Sequence, residues 1–308
     1  MKERTLYLYA LDPTHIGAGG YRLGRVDKTI LRDAGTGLPK IPGTSLSGVV
    51  RTAAIYSLTD QRERQQAIDY ARWTLDNPNQ PGSRRPHQGE NDPVARYLGF
   101  AEGELGSSRI GMVAFRDAHI LAYPVPTLFG PRWISTTPIL AAAGCQDPPE
   151  PQDISQVIPQ VPRAGAGQGP GRINLGSYFL HETAAQDIPF PADLEGQPGM
   201  DYLKSRLVVV HSDLFPSLVD ANLETRTSVN IDFATGAAAE GLLFTYEATP
   251  RGTLFLGQIE LDDDRFPTLA AKADDLLRRA LGLACCWGLG GMTTRGFGRM
   301  RHLLTGDH

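Results

Sequence analysis

No disulfide framework can be drawn from this sequence. Its three cysteines, Cys145 and the adjacent pair Cys285 and Cys286, are odd in number and lack framework spacing. That argues against a small secreted scaffold and fits a reducing compartment. No CxxC or HxxxH pattern is present, so a structural zinc site has no support. Long apolar runs are missing too. The stretch Leu6 to Leu11, behind Met1, Lys2, Glu3 and Arg4, is too short for a signal sequence or a bilayer span. The expectation is a soluble, cytoplasmic protein with no membrane contact. GxxxxGK[ST] is absent and no GxGxxG follows a strand, so nucleotide hydrolysis is weakly supported. An excess of positive charge is lacking as well: the formal net charge is -4 over 308 residues. Any affinity for polyanions has to come from charge placed locally.

What is present is the composition of a globular protein, 41% hydrophobic and 21% charged, with enough chain for a sizeable core. Thr5 to Leu11 reads as a buried strand. A glycine-punctuated segment follows from His15 to Gly43, and Thr44 or Ser45 then offers an N-cap. Leu46, Val49, Val50 and Ala53 recur at helical spacing, which predicts an amphipathic helix, with further helix to about Leu75. Strand-like runs lie at 110–120, 207–210, 242–248 and 253–261. Leu276, Leu277, Ala280, Leu281 and Ala284 predict a second amphipathic helix stopped by Gly288, and 299–304 predicts a last strand. Strand, helix, strands, helix, strand is the order of a split βαβ unit. The fold class expected is α+β, ferredoxin-like or RRM-like, in one domain spanning 1–308.

Two segments fall outside this pattern. Residues 77–92 have turn and loop chemistry throughout. Residues 146–201 hold nine of the 23 prolines, eight acidic residues and only two basic ones, Arg163 and Arg172. A segment of that kind buries little core by itself, and the expectation is an insertion or arm.

In the expected topology, the loop after the first strand and the loop after the second helix lie at one end of the sheet. The first carries Arg22, Arg25, Lys28, Arg32, Lys40 and Arg51. The second, Gly288 to Arg301, carries Arg295, Arg299 and Arg301. Nine basic side chains thus face two acidic ones, Asp27 and Asp33, in a protein whose total is negative. The glycines let the backbone approach a ligand and aim N–H groups at an anion. The start of the first helix adds favourable partial charge, and Thr44, Ser45 and Ser47 add hydroxyls. A phosphodiester backbone suits such a surface. The plain alternative is that the glycines only make turns and the arginines only solvate a face.

His15-Ile16-Gly17-Ala18-Gly19, Gly24-Arg25-Val26-Asp27 and Thr36 through Gly48 together resemble the N-terminal signature of the repeat-associated RNA-binding (RAMP) superfamily. Gly288 to Gly298 resembles its C-terminal glycine loop. The segments from Tyr123 to Pro138 and from Ser228 to Glu247 are similar to the backbone subunit of type III-B CRISPR (Cmr) effector complexes. The resemblance implies several copies stacked along a guide RNA with other complex subunits. It also implies a β-hairpin thumb that displaces a guide–target base pair, and cleavage of the complementary target RNA at regular intervals.

Asp27 matches the family's cleaving aspartate, with Mg²⁺ or Mn²⁺ as the implied cofactor and no metal ligands assigned. The RNA contacts it implies are His15, Gly17, Gly19, Arg22, Arg25, Lys40, Thr44, Ser45, Ser47, Arg51, Gly290, Gly291, Thr294, Arg295 and Arg299. The family often has lysine where Ser47 stands, and Lys40 or Arg51 could substitute. The thumb is not located: 146–201 and the loop after Leu75 both have suitable length. Several readings stay open. Asp27 could be only a salt-bridge partner of the nearby cations, His15 could be structural, and Trp287 reads as core. A non-catalytic guide-RNA scaffold and a standalone guide-processing ribonuclease are the alternative functions.

Overall fold

A computed structural model of the chain describes residues 1–19, 26–76, 92–101, 108–162, 171–231, 236, 238–264 and 267–306. The segment 77–91, expected as loop, lies outside the described residues.

Strand β1 (Lys2–Ala10) buries both of its faces. Leu6, Leu8 and Ala10 enter one hydrophobic core and Tyr7 a second, which is why its sequence is apolar without alternation. After the glycine segment come β2 (Lys40–Ile41) and helix α1 (Gly43–Ser57). The helix starts earlier than expected: its N-cap is Pro42, with no side-chain cap. It stops at Leu58, and α2 (Gln61–Asp76) is a separate helix.

Next are α3 (Ala95–Leu98), the short pair β3 (Phe100–Ala101) and β4 (Ser108–Arg109), and β5 (Val113–Phe115). Then come β6 (Ala118–Val125), β7 (Arg132–Ser135) and α4 (Thr137–Ala142). Residues 146–201 contribute β8 (Gln156–Pro159), β9 (Gly171–Leu175), β10 (Tyr178–Glu182) and the start of α5 (Met200–Lys204). The chain continues with β11 (Leu207–Val210), α6 (Phe215–Ala221), β12 (Glu224–Ile231), β13 (Ala238–Ala248) and β14 (Leu254–Leu261). It ends with α7 (Pro267–Trp287) and β15 (Met300–Thr305).

The main sheet runs β15-β1-β14-β6-β7-β11-β8-β10-β9, with β2 and β5 pairing off that path. Strand β1 is antiparallel to both β14 and β15, and β14 to β6. The first four strands of that order are therefore the fourth, first, third and second of the strand–helix–strands–helix–strand series, with α1 and α7 as the crossovers. Leu46, Val50, Ala53 and Ala54 of α1 and Ala273, Leu276, Leu277, Ala280, Leu281 and Ala284 of α7 are buried. Each buried leucine stabilises by about 1.5–3 kcal/mol, and the alanines let the two helices approach.

Residues 146–201, expected as an insertion or arm that buries little core, contribute to both cores. Val157, Ile173, Leu175 and Leu180 join the first core, and Ile158, Ile188, Phe190, Leu194 and Met200 join the second. Its prolines sit mainly in the connections, so the few apolar residues are enough to extend the sheet by three strands. Outside the main sheet, the long strands β12 and β13 pair with each other in a two-stranded sheet, as the short β3 and β4 do.

Candidate RNA interface

The two glycine segments meet. Leu11 N–H donates to Arg299 O at 2.9 Å, Gly298 N–H to Pro13 O at 2.9 Å and Gly291 N–H to His15 O at 2.8 Å. Contact this close requires glycine. A Cβ on Gly290, whose φ is +90°, would lie 2.3 Å from His15 O, and one on Gly298, φ +83°, 2.3 Å from Leu289 O. Both positions combine a left-handed backbone with no room for a side chain.

The first segment folds back on itself. Ala18 N–H donates to Thr29 O at 3.0 Å and Leu31 N–H to Ile16 O at 2.7 Å, while the intervening residues 20–25, with Arg22 and Arg25, lie outside the described residues. The returning arm then docks on the free-standing hairpin. Lys28 N–H donates to Thr245 O, and Glu247 N–H to Lys28 O, each at 3.1 Å. Beneath this contact Tyr246, Ala248 and Phe297 form a small core of their own. Tyr246 lies edge-on to Phe297, with ring centroids 5.4 Å apart.

Asp27 sits at this junction, partly exposed. Its Oδ2 accepts the Thr245 N–H at 2.7 Å and the Thr245 hydroxyl at 3.1 Å. Among the described residues no donor is recorded on Oδ1. The carboxylate is thereby fixed to the base of the hairpin. Beside it, the Lys28 ammonium lies 4.7 Å from the Phe244 ring centroid, and the Arg226 guanidinium 4.7 Å from that of Phe297; both are cation–π contacts.

Several expected contacts are placed differently. His15 is buried, its Nδ1 2.6 Å from Glu247 O and its ring edge-on to Tyr246; it buttresses the junction rather than facing a ligand. Gly17 packs against the His15 ring, and Gly19 adopts φ +77° with open space around it. Lys40 is held between Asp33 at 3.2 Å and Asp117 at 2.7 Å. Arg51 donates to the carbonyls of Leu98 and Gly99 at 2.6 and 2.8 Å, and burial lowers its pKa. It fastens α1 to the end of α3 and is not a free cation for phosphate.

The first turn of α1 also has a carboxylate already: Gly43 N–H donates to Asp117 Oδ1 at 2.9 Å. Thr44 is exposed, and Ser45 and Ser47 are partly exposed on that turn. Arg299 is bidentate on Asp12, at 2.6 and 3.0 Å. Arg32 pairs with Asp220 and lies 4.0 Å from Glu247. Thr294 and Arg295 are exposed at the tip of the C-terminal glycine loop. Acids distant in sequence thus neutralise much of the positive charge counted locally. Sequence reasoning did not single out Thr245, although it lies in the family-like segment ending at Glu247, nor Arg226, just before that segment; their contacts exist only once the hairpin folds against residues 26–28 and the C-terminal glycine loop.

Among the described residues no three His, Cys, Asp or Glu side chains group closely enough to hold a metal ion. Asp27 alone, with one oxygen engaged by Thr245, does not make a protein cage for a divalent cation. Among the described residues no helix is long and apolar enough to cross a membrane.

A mixed α+β chain whose terminal glycine loops interlock beside a detached hairpin defines a class, and the sequence matches one. The family model described as the RAMP superfamily covers residues 7–301, and the chain belongs to that superfamily. It is 26% identical over 300 residues, 92% of this chain and 88% of the relative, to the CRISPR system Cmr endoribonuclease Cmr4 of Pyrococcus furiosus. Its fold is similar to a chain in the cryo-EM structure of type III-B Cmr-beta in the apo state, with a TM-score of 0.63 at 14% identity, covering 99% of this chain and 98% of that one. It is also similar to oligomeric Cmr4 from Pyrococcus furiosus in a crystal structure, with a TM-score of 0.58 at 19% identity over the whole of both chains.

Proposed function

We propose that this chain is the repeated backbone subunit of a type III-B CRISPR effector. It binds guide RNA alongside further copies of itself and other complex subunits, and cuts complementary target RNA as an endoribonuclease. Membership of the RAMP superfamily and the likeness to a Cmr endoribonuclease support this reading. The observation that carries it is the Asp27 carboxylate, locked to the base of a detached hairpin where the two glycine loops join.

The chemistry follows from that placement. The hairpin β12–β13 is the thumb, and its insertion into a guide–target duplex would displace a nucleotide and free the adjoining backbone to rotate. Cleavage needs the 2′-hydroxyl to lose its proton and its oxygen to attack the neighbouring phosphorus in line, while the 5′-oxygen leaves. Asp27 Oδ1 is the group positioned to take that proton. Because Thr245 ties the carboxylate to the hairpin, the cut falls beside the nucleotide that the hairpin displaces. Repetition along a filament gives regular intervals. Lys28 and Arg295, with the exposed Thr294 hydroxyl, meet the phosphodiester backbone without reading sequence.

The resemblance implies Mg²⁺ or Mn²⁺, but the described side chains do not build a site for it, and no step here is routed through a metal. Replacing Asp27 by Ala tests the assignment: guide and target binding stay and cleavage is abolished. Cleavage at the wild-type rate would remove Asp27 from the active site and leave a scaffold. That scaffold reading has one observation in its favour, since Thr245 would hold a purely structural aspartate in the same way. A histidine-centred guide-processing ribonuclease is disfavoured by the burial of His15 on Glu247.

A further inference from the structure

A second cationic and aromatic surface lies on the sheet face opposite α1 and α7. Tyr9 and Arg301 are direct partners in the β1–β15 register, on the side where Tyr7 enters the second core. Together with Pro198 they line a shallow, open depression, and Arg301 donates to Pro198 O at 2.7 Å. The turn before β14 joins them, because Gly252 N–H donates to Ala10 O at 2.8 Å and Arg251 next to it is exposed. Gly252 O in turn accepts the indole N–H of buried Trp133 at 2.7 Å. Trp133 holds the exposed Tyr202 ring edge-on, with centroids 5.8 Å apart, and Arg206 stacks over that ring at 4.0 Å.

Arg206 makes no ion pair among the described residues, and Arg251 lies near Asp12, whose carboxylate Arg299 already holds. Arg299 holds Asp12, Thr305 donates to Asp193 without neutralising it, and Asp201 is exposed on the first turn of α5, so Arg206, Arg251, Arg299 and Arg301 stand against three carboxylates. Burial raises the pKa of the Tyr9 hydroxyl, and the charges of Arg251 and Arg301 oppose that rise, as their proximity requires. Guanidinium groups in excess over carboxylates, beside rings fixed by a buried tryptophan, suit a strand with a phosphate on one side and a base on the other.

We propose that Arg206, Arg251, Arg301, Tyr9 and Tyr202 form a second single-stranded RNA contact, continuous through β15 with the C-terminal glycine loop. This rests on the RNA-binding reading above and extends its footprint across the sheet. The surface stacks bases without selecting them, so it is a contact for backbone length and not for sequence.

The test is binding of the full chain to a fluorescein-labelled single-stranded RNA of about 30 nucleotides, longer than one such surface spans, measured over a range of salt. The Arg206→Gln/Arg251→Gln variant should lower the slope of log affinity against log salt by about 1.4, two contacts at about 0.7 each. Tyr202→Leu should weaken binding about tenfold, within the range found for one stacked base, with the salt slope kept. Wild-type binding with both variants unchanged would overturn the second contact and leave the glycine-loop reading standing. A wild-type chain that binds no RNA would overturn both. Unchanged RNA affinity with an altered oligomeric state would assign the surface to a neighbouring copy instead.

Discussion

Replacing Thr245 by Val isolates the link between the hairpin and the cutting group. Valine keeps nearly the same shape and removes the hydroxyl that donates to Asp27 Oδ2 over 3.1 Å, while the backbone N–H at 2.7 Å remains. A hydrogen bond to a charged group is worth about 1.5–3 kcal/mol. Thr245 is only partly buried, so the lower end applies. If that energy goes into orienting the carboxylate, its loss slows cleavage about tenfold, since about 1.4 kcal/mol is one decade in rate. The assay is single-turnover cleavage of a labelled target RNA, with target binding measured in parallel. Binding should not change, because Thr245 meets Asp27 and not the phosphates. Thr245→Ser, which keeps the hydroxyl, should recover most of the rate. Cleavage by the valine variant at the wild-type rate, or loss of binding and rate together, would refute the coupling.

Two further outcomes follow from the same contacts. Gly290→Ala should destabilise the fold by about 2–4 kcal/mol in denaturant unfolding, because it adds a Cβ 2.3 Å from His15 O at φ +90°. Gly296→Ala, with φ +81° but open space, should cost only the backbone strain, about 1–2 kcal/mol. The Lys40 cluster predicts an acid transition. The Thr36 N–H, and then Lys40, hold the Asp33 carboxyl down to about 2, and Lys40 together with the Gly43 N–H lowers that of Asp117. A depressed folded pKa gives stability that is present above the unfolded value of 3.8 and is lost as pH falls towards about 2. Asp117→Asn should therefore flatten the stability curve across that window. Superimposable acid-unfolding curves would contradict it.

Much of the architecture was legible because the core residues keep strict spacing. The pattern of Leu276, Leu277, Ala280, Leu281 and Ala284 gave α7, and the positive φ of Gly288 ends it where the sequence indicated. The prediction at 207–210 coincides with β11. The convergence of the two glycine loops was legible from topology alone. The core contribution of residues 146–201 was not legible because proline and acid content describes their connections, while a handful of apolar residues, such as Val157 and Ile173, sets their place in the sheet. The local count of charge failed for a different reason. Asp12, Asp117 and Asp220 lie outside the cationic segments in sequence but pair with them in space. The hairpin went unplaced because only its second strand was expected, at 242–248, while β12 carries just two apolar residues, Val229 and Ile231, on its alternating β-branched positions.

On the proposed function, the interlocked glycine loops hold RNA in the cell. Purifying the chain with its co-expressed neighbours and sequencing whatever nucleic acid accompanies it tests this directly. The expected result is a uniform population of guide RNAs, whereas a preparation free of nucleic acid, or one carrying an arbitrary mixture of cellular RNA, would remove the RNA-binding role.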